Sequence, residues 1–197
     1  TLLSSRDMLR TGLEYQAYRL DDWWPPSGTG MMMSPNTFEN INDGTRDRYA
    51  IFGEWESRWS GQWTTVLGAR AELVRMNTGD VQGYSNTNGM GMGMGMGMGM
   101  VHNYLAESTA FNERNRQRTD ENVDVTALAR YTLDSNQTYE AGVARKTRSP
   151  NLYERYSWST SGMSMLMDNL AGDGNGYVGN LDLEPEVANT ISATANW

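Results

Sequence analysis

The chain has 197 residues, enough for one domain of ordinary size, with 24 acidic against 16 basic side chains and a net charge of −8. That balance argues against nucleic acid as a partner, because phosphates demand a basic surface. The absence of Cys removes disulfides, thiolate zinc sites and Cys nucleophiles, and a lone His, His102, removes His-rich metal cages.

Mean hydropathy is −0.65, and no apolar run approaches the roughly 20 residues of a membrane helix. A membrane β-barrel stays open, since its strands are apolar on one face only. Thr1 opens without the basic start and apolar stretch of a signal peptide. Trp197 falls inside an alternating segment. Both features predict a piece of a longer protein.

Period-2 alternation dominates and predicts six strands, with the odd positions the more apolar. Leu9–Asp21 comes first. A long loop, 22–47, carries Met31, Met32 and Met33. Arg48–Trp59 follows, with Tyr49, Ile51, Gly53, Trp55 and Trp59 on one face and Arg48, Glu54, Glu56 and Arg58 on the other. A short turn at Ser60-Gly61 leads to Gln62–Arg75. The second long loop, 76–121, holds Met90, Met92, Met94, Met96, Met98 and Met100 alternating with Gly, and then His102. Asn122–Leu133, a short turn at Asp134-Ser135-Asn136 and Thr138–Lys146 come next. The third long loop, 147–186, carries Met163, Met165 and Met167. Val187–Trp197 ends the chain.

A soluble antiparallel sheet with one wet face would also alternate. Two features favour a membrane barrel instead. Short turns and long loops alternate strictly, the pattern of barrels with short periplasmic turns and long external loops. Trp59, Trp63, Tyr131, Tyr139 and Trp197 gather on the apolar face at the short-turn rim, as amphipathic rings do at a membrane interface. The opposite face, with Arg10, Glu14, Glu54, Glu56, Arg58, Arg70, Glu72, Asp124 and Arg130, then faces a wet or plugged lumen where charges can pair across strands. The predicted fold class is all-β: a segment of about six antiparallel barrel strands.

Two motifs add a resemblance. The run Ala144-Arg145-Lys146-Thr147-Arg148-Ser149-Pro150-Asn151-Leu152-Tyr153-Glu154-Arg155-Tyr156 resembles the late-barrel signature of TonB-dependent outer-membrane receptors. So does Asn180-Leu181-Asp182-Leu183-Glu184-Pro185-Glu186 with the strand after it, although Leu181 stands where the family usually has Pro. The resemblance implies a 22-stranded barrel with an N-terminal plug, of which this chain would be wall. It implies outer-membrane lipid, the remaining barrel strands and, through a plug absent from this chain, the TonB complex as partners. Six strands alone leave two open edges, which lipid does not tolerate. Within the first motif Arg145, Lys146, Arg148 and Arg155 form a basic cluster. It could hold an anion, but pairing with Glu154, Glu184 and Glu186 is the favoured reading.

Twelve of the 14 Met form the three loop runs, all on the rim that would be external. Thioether sulfur is a soft, neutral ligand that selects Cu(I), and an imidazole such as His102 also suits Cu(II). Met at every second residue of an extended segment places its sulfurs on one side, and three flexible torsions let neighbours converge on one ion. A slipped coding repeat would explain the Gly-Met run alone, but neither Met31–Met33 nor Met163–Met167. The pattern resembles the copper-receptor branch of the family. Trp23, Trp24, Tyr153 and Trp158 keep a chelate or siderophore receptor as the alternative, and a soluble β-rich binding module is a third. Asp168, Asp173, Asn175 and Asp182 among Gly172, Gly174 and Gly176 offer oxygens for Ca²⁺ but lack the EF-hand spacing, so a polar turn is the reading there. No Gly-x-Ser-x-Gly, phosphate loop or His-Glu-x-x-His is present, and no enzyme is expected.

Overall fold

A computed structural model describes residues 3–28, 34–85, 103–168 and 172–197. They form one six-stranded antiparallel sheet in which every strand pairs with the next in sequence. The strands are β1 (Asp7–Trp24), β2 (Phe38–Arg58), β3 (Trp63–Asn77), β4 (Arg118–Thr132), β5 (Thr138–Arg148) and β6 (Glu186–Asn196). Three helices lie in the long connections: α1 (Tyr104–Asn112), α2 (Leu152–Tyr156) and α3 (Gly162–Met167).

The six expected strands are all present. All overrun their sequence limits at one end or both, two of them by the most: β2 begins ten residues before Arg48, and β4 begins four before Asn122. Alternation breaks in the β2 extension because Phe38, Asn40 and Ile41 are all buried under loops rather than facing lipid or lumen. The long connections carry the helices and much of the main core.

Register joins the odd positions into one continuous apolar face. Leu9 pairs with Trp55, Trp55 with Leu67, Leu67 with Ala127, Ala127 with Val143 and Val143 with Ile191. Leu13, Ile51, Val125, Val143 and Ile191 are left largely exposed, which only a nonaqueous surrounding makes favourable. At the lower rim Trp63, Tyr131 and Tyr139 stand side by side in register, and the Trp63 and Tyr131 rings lie 4.8 Å apart. From Trp63 to Leu73 the strand spans about 33 Å, which projects to about 25 Å at a barrel tilt near 40°.

Outward-facing charges mark the top of this band. They occur at Arg19 on β1, Asp47 and Arg75 on β2 and β3, Glu121 on β4 and Arg145 on β5. Asp47 pairs with Arg75, Leu73 with Glu121 and Val125 with Arg145, so the boundary descends from β1 to β5. A boundary that slants across the strands is what strand tilt requires.

The even positions carry charges that neutralise one another. Arg10 bridges Glu54 and Glu56. Arg70 joins Glu14 and Glu72, and Glu72 also takes Arg48. Arg130 holds Glu140, and Lys146 lies 3.8 Å from Asp124. These ladders are the expected cross-strand pairing of a lumenal face.

The principal core sits at the long-loop end, not in the band. Phe38, Ile41, Val74, Met76, Tyr104, Leu152, Tyr156, Trp158 and Leu181 belong to it. Val74 and Met76 have the parity of Arg70 and Glu72, so α2 and its neighbours pack on the inner face of the upper strands. The loops therefore fold over the lumenal side, forming a cap.

These two faces give a test. In the full receptor reconstituted in phospholipid vesicles, Leu67→Arg on the lipid face should lower unfolding free energy by about 2–4 kcal/mol, as charges near a bilayer midplane do. Thr190→Arg on the lumenal face should cost far less. Denaturant titration by tryptophan fluorescence checks both.

Candidate functional site

All three long connections leave the same end of the meander, as the alternation of turns predicted. Met31, Met32, Met33, Met90, Met92, Met94, Met96, Met98, Met100 and His102 lie outside the described residues. Their flanks do not, and these converge. Ser34, just after the first run, has its hydroxyl 3.2 Å from that of Ser85, which precedes the Gly-Met segment. Asn36 accepts from the Ser85 backbone N–H at 2.7 Å and donates to the Gly83 carbonyl at 2.7 Å. On the far side of the Gly-Met segment, Tyr104 donates to the hydroxyl of Ser161 at 3.2 Å, and Ser161 is the N-cap of α3. Glu107 on α1 accepts from Thr160, one residue before that cap.

An aromatic cluster fixes these roots from below. Phe38 stacks on Trp158 at 5.2 Å and on Trp24 at 4.4 Å. Tyr84 and Tyr104 meet the Phe38 ring edge-on at 5.4 and 5.5 Å. Each aromatic comes from a strand end or loop beside a Met run, so burying one cluster draws the three loops together.

The third run departs from the extended form expected of it. Gly162–Met167 is a helix, capped by the Ser161 side chain accepting from the Ser164 N–H at 3.1 Å. Helical geometry puts Met163 and Met167 on one face and Met165 on another. Met163 and Met167 are exposed, while Met165 lies half-buried with its backbone against Gly176. A serine cap overrides the period-2 spacing, so this run offers two outward sulfurs on one face rather than three.

The basic cluster is consumed internally, as favoured. Arg148 is clamped between Glu154 and Glu186 at 2.9–3.0 Å. Burial pushes the Glu154 carboxyl up, but hydrogen bonds from Arg148 and the Asn151 N–H outweigh it and hold the group below its ordinary range. Arg155 is 2 % exposed and turns to a partner outside the expected glutamates: it donates to Asp120 at 2.7 Å and to the Leu183 carbonyl at 2.7 Å. Arg145 donates to the Val123 carbonyl.

The second motif wraps the first. Gly179 donates to the Ser157 carbonyl at 2.6 Å and Asn180 to the Glu154 carbonyl at 2.9 Å. Any side chain at Gly179 would run into the α2 backbone within 2.9 Å. Leu181, in the place of the usual Pro, is 2 % exposed in the core, and its carbonyl accepts from Arg118 at 2.7 Å.

A family model described as TonB dependent receptor-like, beta-barrel, matches residues 2–197. The chain belongs to that family. No curated protein and no solved structure matches it. Membership removes the soluble-module reading. The family's proteins are outer-membrane receptors and transporters of Gram-negative cells that work with TonB, and they are not enzymes.

The aromatics reserved for a chelate are mostly occupied in this receptor wall. Trp158 is buried, with its indole N–H donating to the Glu39 carbonyl at 3.0 Å. Trp24 and Tyr153 pack against the core, leaving Trp23 exposed. Of the oxygen-rich stretch, Asp173 closes a local turn with Asn175 and Tyr177. Asp182 pairs with Arg114 and Arg118 at 2.7–2.8 Å. Asp168 instead points into the cap, so this stretch does not converge on one cation.

Sequence reasoning missed the Arg155–Asp120 pair, whose members lie 35 residues apart. The signal was weak: a charged residue inside the short apolar pattern Leu152, Tyr153, Tyr156. Arg155→Ala should destabilise the cap by about 3–5 kcal/mol, because Asp120 would stay buried without its partner. Faster amide exchange across 149–160, with the β3–β4 ladder unchanged, is the expected readout. The Arg148–Glu154 clamp should be acid-sensitive. Its contribution is complete above the ordinary Glu value of 4.5 and fades as pH falls through the lowered folded value. Glu154→Gln should abolish that part of the acid dependence.

Proposed function

We propose that this receptor captures copper, Cu(I) in first place, at its Met-rich external loops and passes it inward. The observation that carries the reading is convergence: the described flanks of all three Met runs meet on one aromatic platform through the Ser34–Ser85 and Tyr104–Ser161 contacts. Runs rooted together raise the local concentration of soft ligands at one mouth, which separate surface loops would not.

The chemistry is binding and passage. Thioethers from Met31–Met33, Met90–Met100 and the outward Met163 and Met167 supply neutral soft donors, and His102 supplies an imidazole. Further strands complete the barrel, since β1 and β6 pair on one side only and unpaired edges are not viable in lipid. TonB supplies the energy for import through a plug domain.

Titration of the receptor with Cu(I) against a chromogenic chelator, under reducing conditions, tests the reading. Replacing the six Met of the Gly-Met run by Ser should weaken binding about tenfold or more, equivalent to about 1.4 kcal/mol, and slow uptake at low copper. Equal, weak binding by both forms would overturn copper as substrate and transfer the assignment to a metal chelate.

A further inference from the structure

The base of the cap holds two carboxylates with no Lys or Arg paired to them among the described residues. Asp22, near the end of β1, and Asp168, the C-cap of α3, both accept from the Nδ2 of Asn40 at 2.9 Å. Asn40 is fully buried, and Asp168 is 5 % exposed. Everything that moves the Asp168 titration is local: burial first, then the Ser157 hydroxyl, Asp22 and Asn40. Burial and the nearby Asp22 push its carboxyl up to about 6 against the hydrogen bonds from Ser157 and Asn40, and no Lys or Arg is among these causes. A carboxylate pair gathered without a basic partner is costly to bury.

Among the described residues, two further polar atoms at this point accept no hydrogen bond. The Asn40 Oδ1 accepts no hydrogen bond, and neither does the Oγ of Ser157, a 2 % exposed residue whose hydroxyl faces Asp168. A carboxamide exchanges nitrogen for oxygen by a half-turn about its last torsion. In this structure the Nδ2 faces both carboxylates; that turn would place Asn40 Oδ1 between them instead, an arrangement that a bound cation favours. The Tyr153 hydroxyl hydrogen-bonds Asp22 at the edge of the cluster.

The backbone is shaped to the purpose. Register shifts lie on both sides of Asp22. The opposing Asp43 adopts φ 48°, with its N–H held by Asp21 at 2.7 Å. Bulges of this kind re-aim a side chain at a functional position.

We propose that Asp22, Asn40, Ser157 and Asp168 form a site for a hard divalent cation, Ca²⁺ in first place. The donors are all oxygen, which suits hard cations and not Cu(I). Mg²⁺ would retain several waters, and the buried Asn40, Ser157 and Asp168 leave little room for them; Ca²⁺ accepts a protein-made cage. Its role is to tie the end of β1, the start of β2 and the C-terminus of the Met-bearing helix into one body. The site does not depend on the copper reading.

Isothermal titration of the purified receptor, freed of lipopolysaccharide and chelator-washed, with CaCl₂ tests this. The wild type should bind Ca²⁺ with a dissociation constant on the order of 10⁻⁴ M, the range of extracellular sites. Asp22→Asn and Asp168→Asn should each weaken it about tenfold or more. Trypsin cleavage of the cap should slow in Ca²⁺ for the wild type and not for the variants. In chelator, Asp168→Asn should be at least as resistant as the wild type, because it removes a buried charge; that arm separates a lost ligand from a lost fold. Identical Ca²⁺ binding by wild type and variants, or none by the wild type, would overturn the site. Cu(I) binding should be unchanged in Asp168→Asn, so either proposal can fail alone.

Discussion

Strict alternation of side chains across paired strands is the constraint on which the rest of this structure depends. Antiparallel register carries odd residues to one face from β1 to β6 and even residues to the other. One face can then be uniformly apolar for lipid, while the other satisfies its charges by cross-strand ladders such as Arg10 with Glu54 and Arg48 with Glu72. A slip by one residue would put those charges in hydrocarbon, so register is fixed by both media at once.

A barrel wall of this kind has little interior of its own, and the chain builds its core elsewhere. The apolar cluster around Phe38, Trp158 and Tyr156 lies where the strands outrun the membrane band. β2, at 21 residues, is far longer than the 9–11 or so a tilted strand needs to cross. Its upper half is a scaffold on which the second and third connections fold. The buried Arg155 pins α2 to β4 through Asp120 and to the second family motif through the Leu183 carbonyl. Those motifs thus mark a packing junction between the loop cap and the wall. The carboxylate pair of Asp22 and Asp168 lies at the base of this cap.

Much of the wall was legible. Alternation located all six strands, because lipid and lumen each impose a period of 2 on every strand that crosses between them. Legibility stopped where that pressure stopped. The start of β2 at Phe38 was hidden because Phe38, Asn40 and Ile41 are all buried under loops, which erases the alternation. The helix at Gly162–Met167 was hidden because one capping serine and a neighbouring backbone decide a six-residue segment, and Met is compatible with either form.

The sequence by itself determined the class of fold, the sidedness of the strands, the common rim of the three long loops and the family. Each follows from local pattern: period, turn length and contiguous motif. Only the tertiary structure decided that the loops form a capped core, that Arg155 answers Asp120, that Ser34 meets Ser85 and Tyr104 meets Ser161, and that Asp22 and Asp168 share Asn40. The partners in these contacts lie 18 to 128 residues apart. No local periodicity encodes such a pairing; it exists only once the meander has brought the strand ends to one rim and burial has drawn the loops inward over it.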